Sequence, residues 1–270
     1  MIFASDLDRT LMYSNRAIEE LGEPRGTILK PVEQKNGSWL GYMTEASYFV
    51  LKELSNQSLF IPVTTRTTEQ FNRFVIFDNE IPIKYAITAN GAHILENGVP
   101  LLAWSNHIQS RIQAESISQA ELLSILRREG FRLNGEKKQA EDLFFYYILK
   151  DLPDTSEKEA IHKITVKYGW RISLQGRKLY FIPKAISKGS ALEYICTREG
   201  MKAVAGAGDS ILDWDFLQHC QYRFVPNHGE LAKELARVSG TNNHILTNSR
   251  GVAAGEEVLQ QFLKLLPLKI

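Results

Sequence analysis

The 270-residue sequence has only two cysteines, Cys196 and Cys220, and no CxxC pair. That excludes a disulfide framework or a zinc site built on paired thiolates, and it suits a reducing compartment. Neither sign of charge dominates, with 32 Lys+Arg against 31 Asp+Glu, so there is no basic footprint for nucleic acid or an anionic membrane. No apolar run approaches the ~18 residues of a membrane span. Acids at Asp6 and Asp8 interrupt the N-terminal apolar run before a secretory signal could form, so a cytoplasmic location is the expectation. The six histidines, at positions 93, 107, 162, 219, 228 and 244, show no ligand spacing, and there is no internal repeat or low-complexity stretch. The sequence as a whole is 44% hydrophobic, ample for one large domain or for a core domain with an insert.

The chain is organised around Asp6-Leu7-Asp8-Arg9-Thr10. The apolar run Met1-Ile2-Phe3-Ala4 reads as a buried strand, and two carboxylates one residue apart follow at its C-terminal end, where open α/β sheets place their chemistry. On a straight strand Asp6 and Asp8 project to one side, and their mutual repulsion calls for a cation or a shared proton.

Further along, Asn36-Gly37 between apolar runs predicts a hairpin. Thr44 caps a helix with Ala46, Phe49, Val50 and Leu54 on its inner face. Leu59 to Val63 is a second strand ending at Thr64-Thr65-Arg66, with a helix from about Thr67 carrying Phe71, Phe74 and Val75. Tyr85 to Thr88 is a third strand, after which the βα alternation stops at Asn90-Gly91.

Residues 92–183 are expected to form a separate α+β module. It contains helices over 119–128 and 156–168, an aromatic strand over 143–149 that fills its core with alternate residues, and a hairpin across Gln175-Gly176-Arg177-Lys178. Lys137, Lys138 and Arg177 are placed on its loops as surface cations, with a sugar or second phosphate as their functional alternative. The core, 1–91 with 184–270, resumes with a helix from Lys188, a strand over 202–208 delivering Asp209 and Asp213, a strand over 222–225, a helix over 229–238, a short strand over 244–246 and a helix over 253–265.

Singly, an Asp at a strand end is a cap and a Lys is a surface charge. Together, three acids arriving at one sheet edge need a cation, and Lys188 with a divalent metal supplies it. With Thr64 as a neutral donor, that inventory suits a phosphoryl group.

At these residues the sequence resembles the haloacid dehalogenase superfamily. Asp6-Leu7-Asp8-Arg9-Thr10, Val63-Thr64-Thr65-Arg66, Ser187-Lys188-Gly189 and Gly208-Asp209-Ser210-Ile211-Leu212-Asp213 are similar to its four motifs, in order. The insert between the second and third motifs is similar to the C2B cap of subclass IIB, which includes Cof-type and sucrose-phosphate phosphatases. Asn90-Gly91-Ala92 and Pro226-Asn227 also resemble that subclass.

The resemblance implies a Rossmann-like α/β core with a mostly parallel sheet plus an α+β cap that sets substrate choice. It implies a Mg²⁺-dependent hydrolase of a small phosphorylated metabolite, a sugar or glycosyl phosphate, acting as monomer or homodimer. Asp6 would be the nucleophile and Asp8 the general acid and base, while Thr64 and Lys188 would hold the phosphoryl group. Asp6, Asp8 through its backbone carbonyl, and Asp209 would bind the metal, with Asp213 as ligand or neighbour. Arg9, Thr65, Arg66 and Asn90 would line the substrate side. Rival readings are a phosphomutase or phosphotransferase using the same aspartyl-phosphate, and a non-catalytic phosphometabolite-binding regulator. Three positions depart from the pattern: Arg9 and Thr65 stand where Gly is usual, and Leu212 where Asn is common.

Overall fold

The strand Ile2–Ser5 is buried at all four positions, as a strand covered on both faces must be. It lies between Leu59–Pro62 and Ala203–Ala207 and is parallel to both. Tyr222–Val225 and Ile245–Leu246 extend the sheet on the Ala203 side to five parallel strands among the described residues. Because the chain leaves Ile2–Ser5 first to one side and later to the other, the carboxyl end of that strand is the topological switch point of the sheet. This computed structural model describes residues 1–237 and 243–267. The expected helix end at Val238 and core end at 268–270 lie outside them; the described helix is Glu230–Arg237.

Helices Glu45–Gln57 and Val252–Lys264 cover one face, where Phe3, Leu51, Leu54, Phe60, Val258 and Phe262 share a core. Each such side chain contributes about 1.5–3 kcal/mol by leaving water. Thr44 caps the first of these helices by accepting the Ser47 N–H at 2.9 Å. Its inner face is Ser47, Tyr48, Leu51 and Leu54, whereas Phe49, expected inside, is 59% exposed. The cap sets the helix phase, and the row through Ser47, Leu51 and Leu54 takes the sheet.

The hairpin of Leu29–Lys35 and Ser38–Thr44 turns at Asn36 and Gly37, with φ of 51° and 79°, as a two-residue turn between twisted strands requires. Its edge reshapes the next helix. The Arg73 carbonyl accepts the Gln34 N–H at 2.9 Å and Phe74 bridges to Glu33, so the expected helix after Thr67 is two short ones, Thr68–Phe71 and Ile76–Asn79.

Tyr85–Thr88 pairs antiparallel with His93–Glu96, which pairs with Val99–Pro100, and Val63 bridges to Ile87. The chain divides into two compact units, residues 1–100 with 188–270, and residues 101–187.

The inserted unit has a four-stranded antiparallel sheet in the order Trp170–Gln175, Lys178–Pro183, Phe144–Leu149, Gly135–Ala140. Helices Gln119–Arg128 and Thr155–Lys167 share a core with Phe145, Leu149, Trp170 and Phe181. Lys137 and Lys138 are strand residues opposite Tyr147 and Tyr146, not loop residues as expected; Arg177 does lie in a turn, where its Nε donates to the Leu149 carbonyl at 2.7 Å. A further helix, Leu102–Glu115, was not foreseen. Among the described residues no helix is long and apolar enough to cross a membrane.

Candidate active site

At the carboxyl end of Ile2–Ser5, the Asp6 N–H still donates to Ala207 at 2.9 Å, and the chain then leaves the sheet. Asp209 leaves the adjacent strand Ala203–Ala207, and Lys188 opens the helix Lys188–Glu199 beside it. The Lys188 Nζ, fully buried, donates to Asp6 Oδ1 at 3.0 Å and Asp213 Oδ1 at 2.6 Å. Carboxylate oxygens of Asp6, Asp209 and Asp213 lie within 4.8 Å of one another.

The close approach of Asp213 depends on Gly208. A Cβ there would fall 2.3 Å from the Asp213 Cβ, so no other residue fits without displacing the acid.

Burial and the neighbouring charges shift Asp6, Asp209 and Lys188. Burial pushes Asp6 up to about 8, with Asp213 adding to the rise and Lys188 opposing it. Burial likewise raises Asp209 well above the carboxylate range, with Asp6 and Asp213 adding to it. For Lys188, burial favours the neutral amine, but the Asp213 and Asp6 charges outweigh it and hold the group protonated.

Oxygen availability separates the acids. Asp213 is committed, with Oδ1 on Lys188 and Oδ2 accepting the Ser210 N–H and hydroxyl, each at 2.8 Å. Among the described residues, Asp6 Oδ2 and Asp209 Oδ1 accept only from the Thr10 hydroxyl, at 3.3 and 3.5 Å. A hard, oxygen-seeking divalent cation fits this donor set, chiefly through Asp6 and Asp209.

Asp8 stands apart from this cluster. Its side chain is 47% exposed, and both oxygens accept from Arg66, from Nε and Nη2 at 2.7 Å each. The same guanidinium donates to buried Glu33 at 2.5 and 3.0 Å and lies 4.4 Å above the Phe74 ring. Burial alone would lower the Arg66 pKa, but the two carboxylates more than reverse that. Glu33 was not foreseen, because nothing in Val32-Glu33-Gln34 marks a buried acid; the irregular register at Glu33 turns it inward.

Thr64 is buried, and its hydroxyl oxygen accepts the Arg66 N–H at 3.1 Å, which leaves the hydroxyl proton to donate. Its carbonyl accepts from the Asn90 N–H at 3.0 Å, while the fully buried Asn90 carboxamide has no hydrogen-bond partner among the described residues at either Nδ2 or Oδ1. Thr65 is half-buried next to them.

Arg9 has φ of 64°, a conformation easy for glycine and costly for other residues by about 1–2 kcal/mol. Its guanidinium pairs with Glu20 at 3.1 Å, and its carbonyl is bonded to His228 Nε2 at 2.9 Å. Since His228 Nδ1 accepts the Gly251 N–H, Nε2 carries the proton, and the buried ring is held neutral.

Comparison with known proteins bears on the family and the fold. The family model described as sucrose-6F-phosphate phosphohydrolase matches residues 45–255. A search of curated proteins finds no match. Among solved structures, the chain is similar to the sucrose-phosphatase of Synechocystis sp. PCC6803 in complex with sucrose and phosphate, at 15% identity and a TM-score of 0.68 over 97% of both chains. It is also similar to a protein of Thermoplasma acidophilum, at 9% identity and 0.58 over 97% of this chain and 98% of that one. A haloacid dehalogenase-like hydrolase of Bacillus subtilis matches at 15% identity and 0.53 over 97% and 90%. At these identities the structural likeness is one of fold.

Proposed function

From the premise that this chain belongs to the sucrose-6F-phosphate phosphohydrolase family within the haloacid dehalogenase superfamily, and is thus a phosphoric monoester hydrolase, we propose that it hydrolyses the phosphate ester of a small sugar with Asp6 as phosphoryl acceptor. The observation carrying this reading is the buried Lys188 ammonium between Asp6 and Asp213, with Asp209 beside them at the switch point of the sheet.

In the first step an Asp6 oxygen bonds to phosphorus as the ester P–O bond breaks, and Asp8 gives its proton to the departing sugar oxygen. Asp8 then takes a proton from water as that water attacks phosphorus. The acyl phosphate is cleaved, inorganic phosphate leaves and Asp6 is restored. Lys188 balances charge on Asp6 and the non-bridging oxygens throughout. Thr64 and the unpartnered Asn90 carboxamide supply neutral contacts to the phosphoryl group and its ester. Asp6 and Asp209, with the Asp8 carbonyl, would hold Mg²⁺, while Asp213 fixes Lys188. When bound, Mg²⁺ supplies positive charge that keeps Asp6 ionised and withdraws density from phosphorus.

The test is phosphate release from a panel of sugar phosphates, nucleotides and aryl phosphates, with Mg²⁺ or with EDTA. The reading expects turnover on a sugar phosphate that EDTA abolishes. Undiminished turnover in EDTA, or transfer to a second sugar instead of water, would count against it.

The pKa shifts add a stability prediction. The folded-state pKa of Asp6, about 8, lies above its ordinary value of 3.8, so the protonated acid is favoured in the fold. That stabilisation is complete below about pH 4 and is lost as pH rises through about 8. Mg²⁺ binds the ionised carboxylates, so its effect runs the other way. The rise in Tm on adding Mg²⁺ should therefore be larger at pH 8 than at pH 6. Thermal unfolding at both values checks this, and an equal rise would contradict it.

A further inference from the structure

Arg66 carries two acids at once. Nε and Nη2 hold both Asp8 oxygens, while Nη1 and Nη2 hold Glu33, so one partly buried guanidinium is shared between a half-exposed carboxylate and a buried one. If Asp8 is to give a proton to a leaving oxygen, at least one of its own oxygens must come free of Arg66. Were Asp8 the only anion on Arg66, freeing it would leave a partly desolvated cation without an anionic partner. Glu33 removes that difficulty, because it retains Arg66 when Asp8 turns away.

The placement of Glu33 is built into the fold. It sits where the strand register is irregular between Pro31 and Gln34, bridges to Phe74 beneath Arg66, and is 4% exposed. Across the hairpin stands Gly41, where a Cβ would lie 3.0 Å from both the Cβ and Oε2 of Glu33. A larger residue there would press on the acid.

We propose that Glu33 is a positioning residue for the proton-transfer step: it keeps Arg66 seated on Phe74 so that Asp8 can turn an oxygen to the leaving group. This rests on the phosphatase reading, with Asp8 as the acid. Leaving-group dependence separates such a role from general support of the fold. A sugar alkoxide needs a proton in order to leave, whereas p-nitrophenolate is stable without one.

The experiment compares kcat/KM, which reports the step that phosphorylates Asp6 and releases the alcohol and not the later hydrolysis, for wild type, Glu33→Gln and Asp8→Asn on p-nitrophenyl phosphate and on the sugar phosphate hydrolysed fastest. Glu33→Gln should lower kcat/KM on the sugar ester about 10- to 100-fold and on the aryl ester by less than about threefold. Asp8→Asn should show the same selectivity more strongly. The aryl ester reports on each preparation's folded, active fraction, so a destabilised variant still yields a ratio. Equal losses on both esters, or no loss on either, overturn the role of Glu33 while leaving the phosphatase reading intact. Loss of selectivity in Asp8→Asn overturns Asp8 as the acid, and a wild type inactive on both esters removes the reading and this proposal together.

Discussion

Asp6→Asn is expected to lower phosphate release by on the order of 10⁴-fold or more, the scale of removing a covalent nucleophile, while the protein stays folded. Asn has nearly the same shape, keeps an oxygen for Lys188 and removes a charge that burial and Asp213 already disfavour. The metal-free variant should therefore unfold at the wild-type temperature or above it, and its Tm should respond less to Mg²⁺. Lost turnover together with retained stability separates a reacting group from a structural one. A variant that keeps substantial activity would remove Asp6 from the chemistry.

Lys188→Met should damage both properties. The ammonium is fully buried and is the charge partner of Asp6 and Asp213, so its loss leaves three acids without it. Breaking a buried pair in this way costs about 3–5 kcal/mol. For a chain of this size that is a Tm decrease of roughly 6–20 °C. Lowering the pH, which protonates the acids, should recover part of it, because Asp6 and Asp209 are favoured in their neutral forms. Activity should drop about 10²- to 10³-fold even where the variant is folded, from lost charge stabilisation. Thermal unfolding at two pH values, beside kcat, checks both parts; a variant as stable and active as wild type would refute the electrostatic account.

Much of this was legible in the sequence because the relevant signals are local. Thr44 caps its helix, Asn36-Gly37 makes its turn, and the carboxylates sit at the ends of apolar runs. The structure brings Asp6, Lys188, Asp209 and Asp213 together, which follows from strand ends meeting at a switch point. Other features had no local sign. Gly135–Ala140 is an edge strand whose sequence, GEKKQA, lacks the apolar alternation of a half-buried strand. Leu102–Glu115 buries only Trp104 and Ile108, too few to mark a stripe. Phe49 looked internal by spacing alone, but the phase set by Thr44 turns it outward. The Arg66 pairing with both Asp8 and Glu33 spans 58 and 33 residues, and depends on a register irregularity that the chain reveals only once folded.

Reductive trapping tests the role of Asp6 most directly. Wild type turning over its fastest sugar phosphate is quenched and treated with borohydride, which converts an aspartyl-phosphate to homoserine, and the N-terminal peptide is sequenced by mass spectrometry. Homoserine at position 6, present with substrate and absent without it, is the predicted result. Continued phosphate release with Asp6 unmodified and homoserine at another acid would contradict it.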